Sequence, residues 1–302
     1  MVLSAEEGGK LRDFLCENGY VVVPNVLTPE FAEELRVETA RLNATLPHNP
    51  GQRYQGTHLD IRYDDNPHYD KLVKWPAARQ ALEAMGMGDF QGAGGLIVLT
   101  KEPKAPTLYW HQDWMHWNDP LSLTPWPQTM FLSYYLQGLT TENGCLQVIP
   151  GTHLRRTPLH DDLEPLLGRG EHGAVLVKEI STDASRQTKD ASSPKQHAPP
   201  LFNEDHPDAV DVFAGPCDLV IADARILHSA RHNSTDETRD LLLLWHSRPG
   251  GQNNRGAQWH APDWYDGELP PQLANRPNDF QAEGTRIPGK MLKHPGAVAS
   301  KL

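Results

Sequence analysis

His111 and Asp113 stand two apart in the run Tyr109-Trp110-His111-Gln112-Asp113-Trp114, and residues i and i+2 of an extended strand point the same way. Two imidazoles and a carboxylate on one side of a metal leave other coordination positions open, the donor set of iron(II) oxygenases. The spacing alone selects little, because it occurs five times: His58/Asp60, His68/Asp70, His111/Asp113, His160/Asp162 and His206/Asp208. Of these only His111/Asp113 follows a clear strand, Leu96 to Leu99, and sits in an aromatic run. His58 and His68 precede the strands, His160 opens a helix, and His206-Pro207-Asp208 lies in a loop. Those four read as surface or capping residues.

A third ligand is offered by His228. Gly215-Pro216-Cys217-Asp218 is a turn, Leu219 to Asp223 a buried strand, and a second strand begins near His228, where a β-sandwich brings it against His111 and Asp113. A lone histidine is more often a core residue, and Arg239 changes that balance. It stands just ahead of the apolar strand Leu241–Trp245, and an arginine facing into a sheet needs an anion, because an unpaired buried guanidinium is very costly. Its planar fork suits the distal carboxylate of 2-oxoglutarate.

These residues need a scaffold of strands. Helical signals come first: residues 4–18, with Leu11, Phe14 and Leu15; a start at Thr28-Pro29-Glu30 running to Asn43; and periodicity from Tyr69 to Met85, interrupted at Pro76. Val21-Val22-Val23 is a strand between the first two. After a glycine-rich approach from Gly86 to Gly95, short apolar or alternating runs follow at Leu96–Leu99, Thr129–Leu136, Cys145–Ile149, Gly173–Ile180, Val210–Phe213, Leu219–Ala222 and Leu241–Trp245. Strands after a helical start predict a mainly β sandwich or barrel with flanking helices. We expect one domain over residues 1–302: helical support to about residue 88, a β core over 89–249 with a polar lid loop at 182–208, and an extension over 250–302.

The formal charge of −11 leaves no basic surface to displace counterions from a phosphate backbone, so nucleic acid is not an expected partner. Small molecules are. Cys16, Cys145 and Cys217 are too far apart for a metal knuckle and odd in number, and read as buried thiols of a reducing compartment. No apolar run approaches the roughly 20 residues of a membrane helix. The final Ser300-Lys301-Leu302 spells the address read by the peroxisomal import receptor, so a peroxisomal location is expected in a eukaryote and a cytoplasmic one otherwise.

The chain resembles the phytanoyl-CoA dioxygenase family of iron(II)/2-oxoglutarate oxygenases. The resemblance lies in Trp110-His111-Gln112-Asp113, in Glu142-Asn143-Gly144-Cys145-Leu146-Gln147-Val148-Ile149-Pro150-Gly151-Thr152-His153, in Gly215 through His228, and in Arg239 at the family's spacing. It covers about residues 10 to 249. It implies a double-stranded β-helix, the cupin-like jelly roll, with iron(II) on His111, Asp113 and His228, 2-oxoglutarate anchored by Arg239, and O2 as oxidant. It further implies that Lys101 and Ser133, with Tyr134 or Tyr135, line the co-substrate pocket, and that His153 is structural. Members often have Gly-Ser after the distal histidine, where this chain has Ser229-Ala230.

The activity implied is hydroxylation of an unactivated C–H bond with release of succinate and CO2. A fatty acyl-CoA and a secondary metabolite are both family-type substrates. Tyr109, Trp110, Trp114, Met115, Trp117 and Trp126 are candidates to wall an apolar pocket or to pack the core. A zinc hydrolase on the same ligands leaves Arg239 unexplained, and a non-catalytic jelly-roll binding protein leaves the whole constellation so.

Overall fold

Ser4 starts the first helix with a capping box: its hydroxyl accepts from the Glu7 amide while the Glu7 carboxylate accepts from the Ser4 amide, which sets α1 at Ala5–Asn18. Gly19, in the left-handed conformation, ends it. The chain then turns straight into β1, Tyr20–Val23. Thr28 accepts from the Phe31 amide at the head of α2, Pro29–Thr45, and Pro76 separates α3, Pro67–Val73, from α4, Pro76–Ala84. The computed structural model describes residues 3–45, 57–113, 120–155, 157–163, 203–248 and 261–269.

The remaining strands are β2 Thr57–Ile61, β3 Gln91–Lys101, β4 Thr129–Tyr135, β5 Leu146–Val148, β6 Val210–Asp211, β7 Leu219–Asp223, β8 His228–Ala230 and β9 Arg239–Ser247; a short helix, α5, spans Pro158–Leu163. They form an antiparallel six-stranded sheet in the order β1-β7-β4-β9-β3-β2 and a three-stranded sheet in the order β6-β5-β8. Between the sheets Phe131, Tyr135, Leu241 and Leu243 pack with Leu146 and Val148. On its other face the large sheet turns Leu96, Val98, Met130, Leu132, Tyr134 and Leu242 against Leu15, Phe31, Leu35 and Leu82 of the helices. Covered on both faces, β4 is buried at every position. This is the expected jelly roll backed by helices.

Several boundaries differ from the sequence expectation. The strand expected at Leu96–Leu99 runs from Gln91 to Lys101 and absorbs half of the glycine-rich approach, with a register shift between Gly92 and Leu96. Thr57–Ile61, passed over as a strand, pairs with the outer edge of β3, so His58 lies within a strand rather than ahead of them. Cys145 is a buried thiol, but Cys16 and Cys217 are only partly buried. Gly173–Ile180, residues 182–202 of the expected lid, and Ser300-Lys301-Leu302 lie outside the described residues. No described helix is long and apolar enough to cross a membrane.

Candidate metal centre

The amide of His111 donates to the His228 carbonyl and that of His228 to the His111 carbonyl, each at 2.9 Å. This bridge adds His111 beside β8 at the edge of the small sheet and sets the two imidazoles together, ring centroids 4.1 Å apart. Asp113 is fixed by its amide, which donates to Ala224 O at 2.9 Å. One donor atom from each of His111, Asp113 and His228 lies within 4.8 Å of the other two. His228 Nε2 is 3.3 Å from one Asp113 oxygen and His111 Nε2 is 3.7 Å from the other. Each Nδ1–H donates to a backbone carbonyl, His111 to Tyr109 at 2.9 Å and His228 to Ile226 at 3.1 Å, which leaves the Nε2 lone pairs for a cation.

Burial pushes the His111 imidazole down to about 4, and the neighbouring His228 adds to the effect. Burial also opposes charge on Asp113 and on His228, but their mutual attraction prevails: Asp113 is held below the usual carboxylate range and His228 above the usual imidazole range. The cluster thus attracts positive charge. A divalent metal fits it better than a proton, because a metal engages all three donors at once.

A second polar cluster lies on the inner face of the large sheet. Arg239 on β9 is the Cα partner of Lys101 on β3, so both side chains stand on one face, 5 % and 1 % exposed respectively. The Arg239 guanidinium carbon is 5.1 Å from the centroid of Tyr135. Arg239 Nε and Ser133 Oγ are buried with no hydrogen-bond partner among the described residues. Along β4, Ser133 and Tyr135 share this face with Phe131, whose ring lies 5.0 Å from that of His228, while Tyr134 packs in the helical layer. The alternation puts Tyr135, and not Tyr134, on the face that carries Arg239.

Residues with no role assigned from sequence hold these parts in place. Arg225, wholly buried, forms a two-pronged ion pair with Asp223 and donates to the carbonyls of Ser122, Thr124 and Trp126. The turn it braces carries Ala224, the acceptor for Asp113. Removing one partner of a buried pair costs about 3–5 kcal/mol. Arg225→Met is therefore expected to lose about that much stability, read as a lower denaturant midpoint at unchanged slope. Gln112, between the two ligands, points the other way, its amide against His160 Nε2 at 2.9 Å and the Arg225 carbonyl. His160 is buried, not on the surface, and its Nδ1 accepts from the Thr157 amide at 2.9 Å.

Residues 15–241 match the phytanoyl-CoA dioxygenase (PhyH) family. The chain belongs to the phytanoyl-CoA dioxygenase family. It is by class a non-heme iron, 2-oxoglutarate-dependent oxygenase, with iron and 2-oxoglutarate as cofactor and co-substrate. Solved structures with the same fold include the non-heme α-ketoglutarate-dependent epimerase SnoN of nogalamycin biosynthesis, at 20 % identity and TM-score 0.55 over 85 % of this chain and 86 % of that one. The carbocyclase SnoK from the same biosynthesis has 20 % identity and TM-score 0.55 over 95 % and 98 %. HygX from Streptomyces hygroscopicus, with nickel and 2-oxoglutarate bound, has 16 % identity and TM-score 0.54 over 79 % and 86 %. No curated protein matches the chain.

The phytanoyl-CoA dioxygenase motif from Glu142 to His153 acquires a physical reason here. Gly144 has φ +80°, and a Cβ on it would sit 2.7 Å from Lys101 Cε and 2.7 Å from the Arg231 carbonyl. The turn thus presses on the lysine stem. Gly144→Ala is expected to lose about 1–2 kcal/mol of stability from the left-handed backbone alone, checked by thermal melting. His153 is structural, its Nε2–H donating to Cys16 O at 2.9 Å. The Ser229 hydroxyl donates to Leu108 O at 2.6 Å and is already engaged. Of the aromatic cluster, Trp110 packs with Ile149, Leu159 and Leu227, and Trp126 packs against Trp264 and Tyr265. Tyr109 stays beside His111, at 5.0 Å; Trp114, Met115 and Trp117 lie outside the described residues.

Proposed function

We propose that His111, Asp113 and His228 hold the iron, that Arg239 with Lys101, Ser133 and Tyr135 receives the distal carboxylate of 2-oxoglutarate, and that the enzyme hydroxylates an unactivated C–H bond of an apolar small molecule. Residues 1–302 form one oxygenase domain in this reading. The observation that carries it is the arrangement along one inner surface. A His/Asp/His cluster stands at one end, and at the other is a buried guanidinium whose Nε has no partner among the described residues. At ~3.3 Å per residue, Phe131 and Tyr135 are about 13 Å apart along β4. Neither residue is itself a ligand, but His228 beside Phe131 and Arg239 beside Tyr135 face the same space between the sheets, where a short keto diacid would meet the metal at one end and Arg239 at the other.

Bound iron, with 2-oxoglutarate and O2, supplies the oxidising chemistry that ends in succinate, CO2 and oxidised substrate. The protein's part is arrangement. His111, Asp113 and His228 would hold the metal from one side, and the carbonyls of Tyr109 and Ile226 hold both imidazoles in the ligating tautomer. Arg239 orients the diacid through a fork that a lysine lacks. Phe131, 5.8 Å from the half-buried Trp245, gives the metal an apolar wall.

For the substrate, an uncharged small molecule is favoured over a nucleotide thioester. Arg231, the described arginine just beyond the metal strand, is spent on Asp211, with Glu204 and Asp205 also within ion-pair distance. That leaves it poorly placed to hold phosphates. The fold-mates SnoN and SnoK belong to nogalamycin biosynthesis, in line with tailoring of a secondary metabolite. The acyl-CoA reading rests on the family's name.

The test is succinate release by anaerobically iron-loaded protein on addition of O2 and 2-oxoglutarate, against a panel of acyl-CoAs and apolar metabolites. Succinate that rises with an apolar metabolite supports the proposal, and a rise confined to acyl-CoAs moves the substrate to that class. Turnover that survives without O2 or 2-oxoglutarate favours the zinc hydrolase. Intact protein that binds neither metal nor 2-oxoglutarate favours the binding protein.

A further inference from the structure

We propose that 2-oxoglutarate binding draws a proton onto Lys101, so that the co-substrate is held between two buried cations of which one becomes fully charged only when the anion arrives. The inference rests on the reading of the Arg239 end as the distal-carboxylate site.

Its basis is a pair of like charges placed face to face. Lys101 and Arg239 are Cα partners on neighbouring strands with both side chains buried, and neither makes an ion pair among the described residues. Lysines in such positions usually extend their ammonium to water. Lys101 is prevented from doing so. Its stem lies against Gly144, where even a Cβ would be 2.8 Å from Lys101 Cδ, and its Nζ donates to Pro106 O at 2.8 Å. Two cations confined in this way repel strongly at low dielectric. Arginine keeps its charge under these conditions, so lysine is the group that yields.

The surrounding groups point the same way. Burial, then Arg239, pushes the Lys101 ammonium down to about 7. Cys145, in the turn before β5, is pushed up to about 12 by its own burial and is an uncharged thiol at neutral pH. Tyr135 on β4 is pushed up by burial and is likewise neutral. Glu204 opposes the loss of the proton, but its carboxylate is engaged by the Thr107 hydroxyl and by His232. An incoming carboxylate supplies the missing anion and restores the ammonium.

The sign follows by linkage. Well below pH 7 Lys101 is charged with or without the diacid, so binding takes up no proton and affinity is flat. Above it the free site has lost the proton that the bound site needs, and affinity falls by up to about tenfold per pH unit.

The experiment is calorimetric titration of 2-oxoglutarate into anaerobic, iron-loaded enzyme at about pH 8, in two buffers of different ionisation heat, with the dissociation constant also followed from about pH 6.5 to 8.5. The expected result is uptake of close to one proton per 2-oxoglutarate and about tenfold or more weaker binding at the alkaline end. Lys101→Arg, which stays charged, should bind with no uptake and no pH dependence. Lys101→Met should bind more weakly at every pH, again without uptake. Wild-type binding with no uptake and a flat profile overturns the inference and leaves the co-substrate site standing. Uptake that persists in the arginine variant places the proton elsewhere and overturns it too, while no wild-type binding at all overturns the site reading on which it rests.

Discussion

His228→Ala is expected to abolish succinate formation and to lower metal affinity by more than about a hundredfold, since 10–100-fold is the usual cost of removing partners that only orient a ligand. His228 has both positions in this molecule: its Nε2 faces Asp113 at 3.3 Å, and its backbone forms the bridge that holds His111. The substitution removes the imidazole and keeps the bridge. The metal-free variant should therefore keep the fold but melt lower than the wild type, because the buried imidazole also packs on Phe131 and pairs with Asp113. What it should lose is the rise in melting temperature on adding iron(II) anaerobically, because a ligand stabilises only as far as its concentration exceeds its dissociation constant. Melting curves with and without metal, beside a succinate assay, check both parts.

Arg239→Met is expected to raise the 2-oxoglutarate concentration needed for half-maximal turnover by roughly 30- to 1000-fold, equivalent to about 2–4 kcal/mol for truncating one partner of a buried, hydrogen-bonded charge pair. The apo protein carries the opposite expectation. There Arg239 is a buried cation facing Lys101, its Nε without a partner among the described residues. Replacing such a charge with an apolar side chain of similar reach leaves stability unchanged or higher. Titration of 2-oxoglutarate and melting of the metal-free variant give the two readings, and a variant that binds 2-oxoglutarate like the wild type would remove Arg239 from the site.

The metal cluster was largely legible in sequence, because the chemistry narrows the residue types and the strand before His111 selects one of five like pairs. Sequence could not show that His111 meets His228 through a single bridge, since that depends on how two distant segments register. Arg239 was readable as a cation in need of an anion; Lys101 was named only through the family resemblance, and its place opposite Arg239 was hidden, because like charges across a strand pair are invisible until the pairing is known. Tyr134 and Tyr135 could not be separated for a related reason. A strand buried on both faces is apolar throughout, and its alternation carries no mark of which face is the inner one. Phe131 and Trp245 were missed although both lie at even spacing from Ser133 and Arg239. Arg225 carried no role in the sequence, and only its contacts with three backbone carbonyls and Asp223 make it a brace.

The most direct test of iron and 2-oxoglutarate acting together at this site is the visible charge-transfer band that forms when a keto acid chelates iron(II), recorded anaerobically. The wild-type protein should develop the band on addition of both components, His228→Ala should not, and Arg239→Met should develop it only at much higher 2-oxoglutarate. A wild-type protein that binds iron(II) yet forms no band at any 2-oxoglutarate concentration would contradict the account.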